Sequence, residues 1–179
     1  MSQGISSDAE LVVKARSGSD AAFAQLVDRH QCAVRNFLRK ITPYAEEADD
    51  LAQESFLAAW QSLTKLESGD RFLFWLMGIA WNKAKTRARS AARSRSRDHE
   101  WQESQDAATN PNTEMALALH QAMGQLSADQ QAAVALCLGT GWSHPDAAAT
   151  LNMPLGTLKS HVSRGRARLA EILEVSDDG

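Results

Sequence analysis

Apolar residues recur at three- and four-residue steps along most of this chain, the spacing that puts side chains on one face of an α-helix. Between residues 8 and 41 a short first segment ends near Ser17-Gly18. A second carries Phe23, Leu26, Val27, His30, Val34, Phe37, Leu38 and Ile41 on one stripe. Asp8 is expected to cap the first segment, His30 to be a core histidine, and Pro43 to end the pattern. A third helix is expected from Tyr44 to about Leu63, with Ala48, Leu51, Ala52, Ser55, Phe56, Ala59 and Trp60 turned inward. The loop at 64–70 leads into a fourth helix, from Arg71 to roughly Ala92, which starts apolar and ends as a basic rod.

From Ser94 to Asn112 the periodicity is lost and the chain turns polar, as a linker would. Beyond it, Thr113 is expected to open a helix. Ser127 with Gln130, and Ser143 with Asp146, make capping-box patterns before two more, the second with Pro145 in its first turn. Met153-Pro154 then turns the chain into a closing helix. The expectation is an all-α protein of two small helical domains: residues 1–97, a flexible acidic linker over 98–112, and residues 113–179, with a helix-turn-helix in the second domain.

Composition supports this and narrows the chemistry. Hydrophobic residues make up 44% and aromatics only 6%, without strand-like alternation. No apolar run approaches the ~20 residues of a membrane span, so no membrane insertion is expected. Cys32 and Cys137 fit no metal or redox spacing and are read as buried thiols of a reducing compartment, which suits the cytoplasm. Nothing reads as a catalytic group, a metal site or a cofactor loop: no nucleophile stands beside a base, and no glycine-rich phosphate loop is present.

The net charge of −3 conceals a segregation. Residues 71–97 hold eight basic side chains and no acid, residues 98–153 hold seven acids and no Lys or Arg, and residues 154–179 place four bases before four acids. Two basic islands between acidic stretches suggest two contacts with a polyanion. On the closing helix, at about 100° per residue, Leu158, Val162, Gly165, Leu169, Ile172 and Leu173 share one sector. Ser160, Ser163 and Ala167 lie opposite, flanked by Lys159 and Arg166 on one side and by His161, Arg164 and Arg168 on the other. A small-residue ridge bordered by cations can enter a DNA groove, the cations reaching phosphates and the ridge reaching base edges.

Three stretches carry a family resemblance: ADDLAQESFLAAWQSL, FLFWLMGIAWNKAKTRAR, and LSADQQAAVALCLGTGWSHPDAAATLNMPLGTLKSHVSRGRARL. Together they resemble bacterial sigma factors of the extracytoplasmic-function (ECF) group, from about residue 8 to 173. The resemblance implies a protein that binds core RNA polymerase and directs it to promoter DNA. Asp49, Asp50, Gln53 and Glu54 would dock on the polymerase clamp. Lys65 and Ser68 would receive a flipped non-template base of the −10 element, and Asn82, Lys85 and Arg89 would line the strand path. Thr157, Lys159, Ser160, Ser163 and Arg164 would read the −35 element while Arg166 and Arg168 hold phosphates. Trp81 stands where relatives often carry arginine, and two roles are open to it: stacking on an unpaired base, or packing in the core. The family also implies control by an anti-sigma factor. Two other readings are a helix-turn-helix regulator with an N-terminal interaction domain, and a helical adaptor that binds only protein.

Overall fold

A computed structural model describes residues 6–95 and 113–177, which form eight α-helices. They are α1 (Asp8–Arg16), α2 (Asp20–Ile41), α3 (Ala45–Ser62), α4 (Phe72–Arg95), α5 (Thr113–Gly124), α6 (Ala128–Cys137), α7 (His144–Thr150) and α8 (Leu155–Asp177). Two 3₁₀ turns, Leu63–Lys65 and Gly69–Arg71, connect α3 to α4. The chain forms two compact units, Met1–Lys83 and Ala84–Gly179, so the division falls inside α4. The linker expected over 98–112 lies outside the described residues.

In the first unit, the α2 stripe buries Leu26, Val34, Phe37 and Leu38 against α1 and α3. Phe72, Leu76, Met77 and Ala80 of α4 are each at most 1% exposed. Fully burying a side chain of the Leu or Phe kind contributes about 1.5–3 kcal/mol, so each of the larger of these residues is a substantial contributor to the stability of the unit. Phe23 packs on Trp60 with ring centroids 4.7 Å apart and meets Phe72 edge-on at 6.4 Å, tying α2, α3 and α4 together.

The sequence misplaces the cap of α1. Ser7, in an extended conformation, occupies the cap position and forms a capping box with Glu10. Asp8 lies one residue inside the helix, and its carboxylate takes His30 Nε2 at 2.7 Å and Arg29 Nη1 at 2.5 Å. The core histidine therefore has a polar partner, as burial requires. The cysteines also depart from expectation: Cys32 is exposed and Cys137 half-buried. Cys32 belongs to the outer side of an amphipathic helix, where its apolar character says nothing about burial.

In the second unit, α8 packs along α6 and contacts α5 and α7. Ser127 caps α6 with the full box through Gln130, and Ser143 accepts the Asp146 N–H at the start of α7. Between α7 and α8 the chain turns through Asn152 at φ +50°, a left-handed conformation that asparagine tolerates. The Met153 N–H closes the turn on Ala148 O at 3.0 Å, and Pro154 prevents α7 from continuing.

Candidate nucleic-acid interface

The closing helix presents the two faces its sequence encodes. Leu158 is fully buried, and Val162 and Leu169 are 8% exposed. Gly165 sets the depth: a Cβ built there would stand 2.6 Å from Val134 Cγ2, so only glycine lets α8 lie this close to α6. Thr157, Lys159, Ser160, Ser163, Arg164, Arg166 and Arg168 are all exposed. Ser160 Oγ donates to Gly156 O at 3.0 Å, and Arg168 pairs with Glu171 at 3.0 Å. Among the described residues Lys159, Arg164 and Arg166 form no ion pair. The Arg168 pair is exposed and therefore weak, so phosphate can compete for it.

The acidic set on α3 divides into two kinds. Asp49 is held by α2: Arg39 Nη2 approaches its carboxylate at 3.2 Å and Arg35 Nε at 3.7 Å. Glu54 takes Lys83 Nζ of α4 at 3.3 Å. Asp50 and Gln53 point outward and are exposed. Leu57, which the sequence reading passed over, continues that outward stripe one turn later and is 58% exposed. With Asp20, Phe23, Phe56 and Trp60 it lines an open cleft of about 350 Å³. The signal was present in the spacing, since positions 50, 53, 54 and 57 share one helical face.

Along the first 3₁₀ turn and the three residues after it, Leu63 and Leu66 bury their side chains while Thr64, Lys65, Glu67 and Ser68 project outward. Lys65 and Ser68 thus fall together on one loop. On α4, Asn82 and Arg89 are exposed, and Lys85 lies 2.9 Å from Asp129 Oδ1. Trp81 is 3% exposed. Of the two roles open to it, this burial is that of the packed one. The apolar half of α4 reaches one turn further than its polarity switch suggests, because Ala80, Trp81 and Ala84 still lie on the buried side.

Among the described residues no group of three or more His, Cys, Asp or Glu is placed to hold a metal. No described helix is long and apolar enough to cross a membrane. Burial raises the Cys137 thiol pKa above its ordinary value.

This arrangement is that of the sigma-70 proteins. Residues 26–94 match the model of sigma-70 region 2, and residues 116–169 match that of sigma-70 region 4. The chain is 30% identical to the RNA polymerase sigma factor NccH of Alcaligenes xylosoxydans xylosoxydans, over 94% of this chain and 96% of NccH. It is 32% identical to the ECF RNA polymerase sigma factor SigM of Mycobacterium tuberculosis, over 97% of this chain and 88% of SigM. Among solved structures, the sigma factor RpoE of Bartonella quintana, crystallised with the anti-sigma factor NepR, superposes with a TM-score of 0.76. The two are 32% identical, over 86% of this chain and 97% of RpoE. The chain belongs to the ECF group of sigma-70 factors, the subunits that direct RNA polymerase to promoters. The region 2 match accounts for the acidic α3 and basic α4, which a simple helix-turn-helix regulator leaves without a role.

Proposed function

We propose that this sigma factor reads the −35 element with α8 and the −10 element with the loop at 64–68 and the outer side of α4, while α3 docks on core polymerase. The domains that do so are residues 1–97 and 113–179. What carries the reading is the outward face of α8. Lys159, Arg164 and Arg166 flank the small residues Ser160 and Ser163 with their charges uncommitted, on a helix held at fixed depth by Gly165. Such a face suits a major groove, with cations on both walls and short side chains at base edges.

On α3, Asp50 and Gln53 supply the exposed polar contacts, and Leu57 adds an apolar one beside the cleft. Asp49 acts indirectly, fastening α3 to α2 through Arg35 and Arg39. In the −10 region Lys65, Ser68, Asn82 and Arg89 meet the strand, and extrusion of a base costs a few kcal/mol that promoter sequence modulates. The protein works by binding alone, without a cofactor or catalysis of its own, in the cytoplasm with polymerase. The complex of RpoE with NepR supports a like restraint by an anti-sigma factor here.

Run-off transcription with added core enzyme tests this. The chain should produce discrete start sites, and Ser163→Ala with Arg164→Ala should abolish −35 dependence while core binding persists. Core enzyme that fails to initiate at any site with the intact chain would overturn the reading.

A further inference from the structure

The loop at 64–68 is shaped by α1, a helix to which no DNA or polymerase contact has been given. Arg16, in the last turn of α1, donates from Nε to Leu63 O at 3.1 Å and from Nη2 to Leu66 O. Leu63 is the C-cap of α3, where carbonyls lack helical partners and carry partial negative charge. A guanidinium offers two donors in a rigid fork and can grip two such carbonyls at once; an ammonium cannot hold that geometry. At the far end of the loop, Gly69 rests on the first turn of α1: a Cβ there would stand 2.6 Å from Ala9 Cα, a backbone atom that cannot yield. Ala9 and Arg16 are seven residues apart, two turns along one side of α1 and about 10 Å in rise. The loop is thus pinned at both ends to one rigid rod. Its buried leucines, Leu63 and Leu66, turn Lys65 and Ser68 outward between the pins.

We infer that α1 is the template that presets the base-receiving loop, with Arg16 and Gly69 as positioning residues for −10 recognition. This rests on the reading of Lys65 and Ser68 given above. A loop held in its receiving shape loses little conformational entropy when a base enters, so the pins contribute to selectivity without touching DNA.

The test uses the full chain with core polymerase. Open-complex formation is compared on the preferred promoter and on one with the flipped −10 base substituted. Lys65→Ala/Ser68→Ala should lower the discrimination between them. Arg16→Ala should lower it about tenfold, the scale of a hydrogen bond or two. Arg16→Lys should fall between Arg16→Ala and wild type, and Gly69→Ala should reproduce the loss from the other end. Core binding and −35 dependence should stay near wild type, and amide exchange should speed up over residues 64–71. In the Lys65→Ala/Ser68→Ala background Arg16→Ala should remove no further discrimination, which a general loss of stability would not mimic. If Lys65→Ala/Ser68→Ala leaves discrimination intact, the base-receiving role of the loop is wrong and the inference falls with it. If that variant loses discrimination but Arg16→Ala and Gly69→Ala do not, the loop reads the base without its template, and only the inference is overturned.

Discussion

Replacing Gly165 with alanine sets two effects of similar size against each other. Alanine is a better helix former than glycine by about 0.8–1 kcal/mol, which favours the variant. The added methyl would meet Val134 Cγ2 at 2.6 Å, with Leu126 Cδ1 at 3.6 Å and Gln130 Cβ at 3.8 Å close behind. Carbon atoms prefer about 3.5–4.0 Å, so the overlap is near 1 Å. Val134 is itself buried, at 5% exposure, and overpacking such a site costs about 1–3 kcal/mol. The net expectation is a destabilisation of about 0–2 kcal/mol, together with a shift of α8 that displaces its DNA-facing side. Val134→Ala alone loses two buried methyl groups, at about 0.8 kcal/mol each before any cavity cost. In the double variant the new methyl occupies space the valine vacates, so the clash disappears and the helix gain remains. The two changes should then be non-additive by about 1–3 kcal/mol. Amide hydrogen exchange of α6 and α8 in the full chain measures the opening free energy of this unit directly. A Gly165→Ala protein that gains the whole propensity increment, or single effects that sum to within about 0.5 kcal/mol, would show that α8 does not approach α6 as described.

Asp50→Lys should weaken core polymerase binding with no change in thermal stability, whereas Asp49→Ala should cost up to about 1 kcal/mol of stability, as expected for a partly exposed carboxylate between two arginines. Equilibrium binding and thermal melting separate the two. Lys159→Ala and Arg166→Ala should each reduce the salt dependence of −35 duplex binding by about one unit of slope, measured in a salt titration. Ser127→Ala should destabilise the second unit by about 1 kcal/mol by removing the capping box of α6, seen as faster exchange of its first-turn amides. For the thiols, burial raises the pKa of Cys137, so fewer thiolates form at a given pH. Its alkylation should lag behind that of exposed Cys32 and reach half its maximal rate only above the ordinary thiol range.

Much of the candidate site was legible because α8 encodes it locally. A helix fixes which residues share a face, so the separation of Leu158, Val162 and Leu169 from Lys159, Ser163 and Arg164 follows from spacing alone. The acidic stripe on α3 was equally visible, yet its chemistry was not uniform. Asp49 and Asp50 are neighbours in sequence but lie about 100° apart around the helix, and only the first meets arginines from α2. Trp81 shows the same limit from the apolar side: its neighbours Asn82 and Lys83 suggest a polar boundary, and tertiary packing buries it regardless.

The sequence by itself determined the helices, their breaks and the caps of α6 and α7, the two-faced closing helix, and the family, because each depends on residues within a turn or two of one another or on short ordered motifs. Tertiary structure alone decided which charges were spent inside the protein and which were left for a partner. It also gave the Asp8 carboxylate to His30, and it pinned the 64–68 loop to α1 through Arg16 and Gly69. Those outcomes join residues from ten positions apart (Arg39 and Asp49) to sixty (Ala9 and Gly69). Periodicity within one helix carries no information about which other helix comes to lie against it.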